Sequence, residues 1–388
     1  MRLSRRLNWR GETNAIARAI EHRRASGRQL VDLTISNPTA VGFEPPPGLA
    51  ESLKAASVRP YEPDPRGSQK ARVALAAWLF HHGVENADPD EIVLASSTSE
   101  AYGWILKLLC DPDDQVLRFA PTYPLLDHLC ALEAVRLNTL ELERTGDGWN
   151  VVDDEALREG LNRSKAVIVV HPNNPTGHFF SPRELGSLSN VAERYGAALI
   201  ADEVFFEYGR VERRRAASDT ECLTFSLGGL SKSAALPHWK LGWIRITGPQ
   251  EQKRRAVEAL ELIADTYLPV AGPVQHALPE ILAMTETIRR PILERIETNL
   301  RTIDEAVSGI PSIRREAVDG GWSAILRVPL LESEESLILD LIDAGVIVHP
   351  GYFYDFPGEG RVVVSLLTRE EEMKSGMELF RGTFAKRL

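Results

Sequence analysis

Between residues 91 and 247, short apolar runs alternate with amphipathic segments, and this alternation limits the fold more than any other feature of the chain. The runs cover residues 91–95, 115–119, 135–142, 165–170, 197–201, 222–227 and 241–247. After Lys165, the run 165–170 is apolar and rich in β-branched residues, which is typical of a strand buried on both faces. Strands that alternate with helices form parallel sheets covered by helices. The sequence therefore predicts an α/β fold with a large, mostly parallel, doubly wound sheet.

Polar residues follow several of these strands at the point where the strand ends. Asp202 directly follows 197–201, Asn174 lies in the turn 171–177, and Tyr123 follows 115–119. Ser97 and Thr98 precede a helix predicted over 101–109, whose first backbone amides are free to bind an anion. Open α/β sheets bind ligands at the carboxyl ends of their strands. We expect a binding site there, although polar turns of this kind also simply cap helices.

Lys232 lies in a stretch rich in glycine and serine, 226–243, between two predicted strands. Gly228 and Gly229 permit close backbone approach, Ser231 supplies a hydroxyl, and Lys240 adds a second cation. This group suits an anionic carbonyl compound that carries a phosphate, because an amine can condense with the carbonyl. Most lysines are instead solvated surface charges, which is the ordinary interpretation of one lysine alone.

The chain of 388 residues exceeds the usual size of a single core, so two domains are expected. After Gly248 the pattern changes to long helices, followed by strands predicted over 323–328, 346–349 and 361–366. We predict a large domain over 40–285 and a smaller α/β domain formed by 1–39 and 286–388.

Charge and cysteine usage exclude several classes of function. Lys and Arg number 45 against 55 Asp and Glu, and the net charge of −10 gives no reason to expect nucleic acid or an anionic membrane as partner. Three separated cysteines lack metal-ligand spacing and fit a reducing compartment, so no metal site is predicted. The basic N-terminus lacks the apolar core of a signal peptide, and no apolar run is long enough to span a bilayer. A cytoplasmic enzyme is expected.

Two loops outside the predicted sheet also carry candidate residues. Asn37 lies in a turn before Pro38 and is predicted to face a substrate unless this is an ordinary loop. The proline-rich loop 60–67 is rigid and presents Tyr61 and Arg66, with a plain surface loop as the equal alternative.

Taken in order, these motifs resemble the class I and II aminotransferases among the fold-type I pyridoxal-phosphate enzymes, a family that includes aspartate aminotransferase. The resemblance rests on Asn-Pro-Thr-Gly at 174–177, Asp-Glu-Val at 202–204, and Ser231-Lys232 with the cation Lys240. It covers nearly the whole chain, and the ordered set is far more specific than any one motif.

The resemblance implies a role for each matching residue. Lys232 would form a Schiff base with pyridoxal 5′-phosphate and move the substrate's proton, while Asp202 would pair with the protonated ring nitrogen. Asn174 would bind the ring oxygen, and Tyr123 would lie over the ring face. The remaining cofactor contacts would come from Ser97, Thr98, Ser231 and Lys240 at the phosphate and from Tyr61, which would reach the partner's site in a homodimer with shared active sites.

Several positions depart from the family pattern. Lys240 replaces an arginine, Ser97 replaces a glycine, and Phe205 replaces a tyrosine that donates to the ring oxygen. Val363 stands where the family has the arginine that holds the substrate carboxylate. Arg361 and Arg369 are nearby, and Arg361 shares a strand face with Val363 at two residues' remove. The substrate is therefore expected either to be bound by another arginine or to lack that carboxylate.

These features predict an enzyme that transfers an amino group between an amino acid or amine and a 2-oxo acid. One alternative is a pyridoxal-phosphate-dependent lyase or decarboxylase, because the same cofactor supports those reactions. Another is a non-catalytic, cofactor-binding regulator, suggested by the missing arginine.

Overall fold

The predicted alternation of strands and helices is present, and the elements follow in chain order. The computed structural model describes residues 3–7, 14–56, 60–145, 148–151, 155–218 and 221–387. The strands are β1 (Val31–Asp32), β2 (Ile92–Ala95), β3 (Gln115–Ala120), β4 (Arg136–Glu141), β5 (Glu143–Thr145), β6 (Gly148–Asn150), β7 (Ser164–Val170), β8 (Ala198–Asp202), β9 (Thr224–Gly229), β10 (Gly242–Thr247), β11 (Arg314–Arg315), β12 (Ser323–Arg327), β13 (Val346–Ile347), β14 (His349–Pro350) and β15 (Arg361–Ser365). The helices are α1 (Ala15–Ala25), α2 (Pro47–Ala56), α3 (Gln69–His81), α4 (Thr98–Leu109), α5 (Leu125–Leu132), α6 (Glu155–Asn162), α7 (Pro182–Tyr195), α8 (Leu230–Ser233), α9 (Gln250–Tyr267), α10 (Gly272–Ala283), α11 (Thr285–Val307), α12 (Glu334–Ala344) and α13 (Glu370–Arg387).

The ends of α7 show how local sequence sets an element. The Ser181 hydroxyl accepts a hydrogen bond from the Glu184 backbone N–H, and the Glu184 carboxylate accepts one from the Ser181 N–H, which is a capping box. The helix ends at Gly196, whose φ of +66° is left-handed and favours glycine. Ser97 caps α4 in a similar way, so α4 begins at Thr98, three residues before the predicted start.

The large sheet has the order β2-β10-β9-β8-β7-β3-β4. The five strands β9, β8, β7, β3 and β4 are parallel to one another, whereas β10 runs antiparallel to both of its neighbours, β9 and β2. Along β7, Val167 faces a core shared with α6 and α7, and Ile168 faces a core shared with α4 and α9. Helices therefore cover both faces, as predicted for a doubly wound sheet, and the strands that end at Val170 and Asp202 open on the same edge.

The C-terminal part contains a second, antiparallel sheet in the order β11-β12-β15-β14. Its strands pack with α11, α12 and α13, and the short strand β1 pairs in parallel with β13. The N-terminal and C-terminal segments thus meet, while the division into a large domain over 40–285 and a smaller one over 1–39 and 286–388 stays a prediction.

The two sheets are joined by polar contacts. Arg118 of β3 binds Asp355 at 2.7 Å, and the Thr122 N–H donates to the Tyr354 carbonyl at 2.9 Å. Ser323 of β12 donates to the Asn174 amide oxygen at 3.3 Å. The small sheet therefore lies against the edge of the large sheet where the polar turns emerge. Among the described helices, none is long and apolar enough to cross a lipid bilayer.

Candidate active site

Lys232 lies at the end of β9, in the short helix α8. Its strand can approach β10 closely, since a Cβ on Gly229 would lie 3.3 Å from the Gly242 Cα. The Lys232 Nζ is 4.8 Å from the ring centre of Trp322 and 5.4 Å from that of Phe205. Burial lowers the pKa of the Lys232 amine to about 8, and the nearby Asp202 carboxylate opposes this shift. Lys232 is thus an amine with a substantial neutral fraction, beside two aromatic rings that pack against each other.

Asp202 ends β8 and is 2% exposed. One carboxylate oxygen accepts a hydrogen bond from the Val204 N–H at 3.2 Å, and the other accepts one from the Tyr102 hydroxyl at 3.1 Å. Burial raises the pKa of Asp202 to about 6, whereas these two hydrogen bonds and the Lys232 charge lower it. The Tyr123 phenol also lies near Asp202, whose charge adds to burial in raising the pKa of the phenol.

The predicted anion cradle lies between α4 and β10. A Cβ on Gly242 would lie 3.0 Å from the Ser97 carbonyl carbon and 3.1 Å from the Thr98 backbone nitrogen, so only glycine leaves this space open. The first amides of α4 have no partner within the helix. Ser231 is partly buried beside Lys232, and Lys240 is exposed with a left-handed φ of +48°. These residues provide amides, a hydroxyl and a cation near one glycine-lined gap.

Asn174 lies in the turn that follows β7. The turn is closed by Asn173, whose side-chain oxygen accepts from Thr176, and by Gly177, where a Cβ would lie 2.5 Å from the Gly320 carbonyl oxygen. Asn174 faces the small sheet through its contact with Ser323.

Three hydroxyls near Asn174 were not predicted as site residues. Ser323 and Ser365 are cross-strand partners in the small sheet, and the Ser36 hydroxyl lies 3.4 Å from that of Ser365. Asn37, the predicted substrate residue, is exposed, and its side-chain oxygen accepts from the Thr39 N–H and hydroxyl. Its neighbour Ser36 contacts the small sheet through Ser365, and the predicted contact of Asn37 with a substrate stays a prediction.

Arg361 requires a correction. It shares a sheet face with Val363, as predicted, but its Nε donates to the Glu316 carboxylate at 3.3 Å and its Nη1 to the Pro357 carbonyl at 2.9 Å. Glu316 is 2% exposed and also binds Arg144 at 2.7 Å. The Arg361 guanidinium is committed to this buried carboxylate, which argues against the predicted role of holding a substrate.

Tyr61 lies on the surface, away from the group around Lys232, with 75% of its side chain exposed. It lines a cleft with Leu268, Gln275 and His276. The contact predicted between Tyr61 and a cofactor therefore requires a second chain.

The group around Lys232 fits a cofactor with an aldehyde, a basic ring nitrogen and a phosphate. Lys232 offers an amine to the aldehyde, and the buried Asp202 offers a carboxylate to the nitrogen. The start of α4 beside Gly242 offers amides to the phosphate. Tyr102, Ser323, Ser365 and Trp322 belong to the same region but were missed, because each belongs to an apolar or strand pattern whose function shows only in three dimensions.

Comparisons with known proteins show the family and the fold. The family model described as aminotransferase class I and II matches residues 29–378. The alanine aminotransferase of Mycobacterium tuberculosis is 27% identical over 370 residues, covering 91% of this chain and 85% of the relative. The glutamate-pyruvate aminotransferase AlaA of Haemophilus influenzae is 25% identical, covering 87% of this chain and 86% of the relative. The solved structure of an alanine aminotransferase from Pyrococcus furiosus has a TM-score of 0.90 at 23% identity, covers all of both chains and shows the same fold.

Proposed function

Because the chain belongs to the aminotransferase class I and II family, we propose that its Lys232 holds pyridoxal 5′-phosphate and that the site described above performs the transamination. The chain is an aminotransferase, and its family uses this cofactor. The observation that carries the assignment of the site is the proximity of a half-buried amine, Lys232, to a buried carboxylate, Asp202, next to the open start of α4.

Each side chain then has a definite task. Bound pyridoxal phosphate supplies an electron-accepting ring that stabilises negative charge on the substrate's α-carbon. Lys232 would hold the cofactor through its aldehyde, and the Lys232 Nζ, when free, would take and return the α-proton of the substrate. A pKa of about 8 suits this task, because a proton-transfer group works best when its pKa is near the working pH. Asp202 would pair with the ring nitrogen and favour its protonated form.

The remaining contacts orient the cofactor. Tyr123 would cover the ring face, and the Asn174 amide would bind the ring oxygen without help from Phe205, which has no hydroxyl. The phosphate would be bound by a larger group, namely Ser97, Thr98, Ser231 and Lys240. Since Lys240 is a point charge and not a planar fork, the amides of α4 define most of the phosphate geometry.

We propose a homodimer with shared active sites. Tyr61 lies near an exposed apolar set on the same side of the molecule, comprising Leu262, Tyr267 and Leu268. Large apolar side chains that are exposed together mark interaction surfaces. A second copy would cover them and bring Tyr61 to the partner's phosphate site. A molar mass of one chain in solution would contradict this proposal, and the cytoplasmic location stays a prediction.

The donor and acceptor are proposed from the relatives and the polar lining. The relatives named above act on alanine, or on glutamate and pyruvate, so L-alanine, L-glutamate and pyruvate are the first substrates to test. With Val363 buried in the core, the Asn174 amide and the hydroxyls of Ser323 and Ser365 are the groups that would meet a substrate carboxylate. Neutral donors bind carboxylates less strongly than a bidentate arginine. We therefore expect high KM values for amino acids.

The assignment is tested by visible spectroscopy of the protein with bound pyridoxal phosphate. Addition of a competent amino acid should convert the absorbance band to that of the amino form, and pyruvate should restore it. Lys232→Ala should abolish turnover, whereas Lys165→Ala, at the other end of a sheet strand, should not. An active Lys232→Ala variant would refute the mechanism. If no donor converts the cofactor to its amino form, but new carbonyl or decarboxylated products accumulate, the result would favour the lyase or decarboxylase.

A further inference from the structure

The Tyr102 hydroxyl has a single described partner, the Asp202 carboxylate. Tyr102 is fully buried in the core between the large sheet and α4, where its neighbours include Ile168 and Ile200. A phenylalanine would fill the same apolar space. A hydroxyl buried without a partner is unfavourable, so the phenol is accounted for by its bond to Asp202.

Tyr102 also lies on the helix that starts the anion cradle. Thr98 and Tyr102 are four residues apart in α4, which places them on the same face, about one turn along the axis. One rigid helix therefore presents its first amides at the cradle and a phenol at the carboxylate. The distance between these two points is fixed by helix geometry and not by a loop.

We infer that Tyr102 is a positioning residue, whose phenol orients the Asp202 carboxylate and holds it as an anion for the ring nitrogen of pyridoxal phosphate. This inference rests on the proposed function, since it needs Asp202 to pair with the cofactor. The groups facing Asp202 are Tyr102 from α4, Tyr123 from the turn after β3, Glu203 from its own chain segment and Lys232 from α8. Burial and Glu203 favour the protonated carboxyl, whereas Lys232, Tyr102 and the Val204 N–H favour the anion.

The phenol remains a donor throughout the working range. Burial, followed by the charge of Asp202, raises the pKa of Tyr102 well above its ordinary value. The pKa of Asp202 is about 6, so a lost hydrogen bond would bring protonation of the carboxyl into the neutral range.

The test measures the affinity of the apo-protein for pyridoxal phosphate from pH 5 to pH 9 in Tyr102→Phe. Affinity should fall at low pH as Asp202 is protonated, and we call this part of the profile the acid limb. A hydrogen bond to an ionised group is stronger than one between neutral groups, so its loss should shift the acid limb to higher pH by about one unit, which is a tenfold loss of affinity at a given pH on that limb. Titration of the cofactor's own groups is common to all variants and cancels in the comparison.

Tyr208→Phe is the matched control. It also removes a buried phenol hydrogen bond, donated at 2.8 Å, but the acceptor is the Lys232 backbone carbonyl. We expect a comparable loss of thermal stability in both variants and an acid-limb shift only in Tyr102→Phe. In an Asp202→Asn background, Tyr102→Phe should add no further shift, because no carboxyl remains to titrate.

A purely structural role would leave the acid limb of Tyr102→Phe where it is in the parent protein, and that result would overturn the inference. If Tyr102→Phe does not fold, fluorotyrosine at position 102 keeps the packing and donates more strongly, so the limb should move to lower pH, and an unmoved limb would again overturn it. Full cofactor affinity in Asp202→Asn would instead refute the proposed function of Asp202.

Discussion

The lowered pKa of Lys232 predicts an unusually reactive amine in the apo-protein. Burial lowers this pKa from 10.5 to about 8. At pH 7.5 about a quarter of the Lys232 side chains would be neutral, compared with about one in a thousand for an unperturbed lysine, so the neutral fraction rises about two-hundredfold. Since only the neutral amine attacks a carbonyl, this difference bears directly on cofactor capture.

The assay is competitive labelling of the apo-protein with acetic anhydride between pH 6 and pH 11. Mass spectrometry of the peptide that contains Lys232 gives the fraction modified, and exposed lysines of the same digest serve as internal references. The labelling midpoint of Lys232 should lie near pH 8. In Asp202→Asn the midpoint should fall further, because the carboxylate stabilises the protonated amine and opposes the effect of burial. A midpoint above pH 10, or a rise in Asp202→Asn, would refute the reasoning.

Two further predictions test the cradle and the correction at Arg361. Gly242→Ala should weaken pyridoxal-phosphate binding by roughly tenfold or more, because the new Cβ would lie 3.1 Å from the Thr98 backbone nitrogen and overpacking costs about 1–3 kcal/mol. The control is Gly186→Ala in α7, where a Cβ would have nothing within 4 Å. This control should leave the affinity unchanged in the same titration. Arg361→Met should lower the thermal midpoint of unfolding but leave the KM for amino donors unchanged. The control Arg327→Met, at the exposed cross-strand position, should change neither quantity. A raised KM in Arg361→Met would instead support the predicted substrate role of Arg361.

The large sheet was predictable because buried parallel strands leave a continuous apolar signal. Lys232 and Asp202 were predictable as site residues because each follows an apolar strand. In the structure these two strands are adjacent and end at one edge of the sheet. The helices α2, α12 and α13 were not predicted, and the strand β1 covers only Val31–Asp32. Its partner β13 lies more than 300 residues away, and short strands that depend on a remote partner have weak local signals.

Tyr102 was missed for a different reason. Its position in α4 fits an apolar helix pattern, and that pattern describes packing without regard to the hydroxyl. The acceptor lies 100 positions along the chain and is reached only because α4 packs across the strands next to β8. Polar partners of buried side chains are set by tertiary structure, so a sequence can suggest Asp202 without indicating what orients it.

Arg361 shows how far strand periodicity can carry a functional argument. The period of two correctly placed Arg361 and Val363 on one face of β15, but two residues along a strand span about 7 Å. Arg361 lies beside the buried Glu316, whereas the serines beside Asn174 lie two residues beyond Val363, at Ser365 and its cross-strand partner Ser323. A buried carboxylate needs a charged partner, and breaking such a pair is strongly destabilising, so Glu316 holds both Arg361 and Arg144 in place. We therefore propose that a substrate carboxylate beside Asn174 is met by neutral donors, and we expect this chain to depart from the family pattern in substrate affinity and not in the chemistry at Lys232.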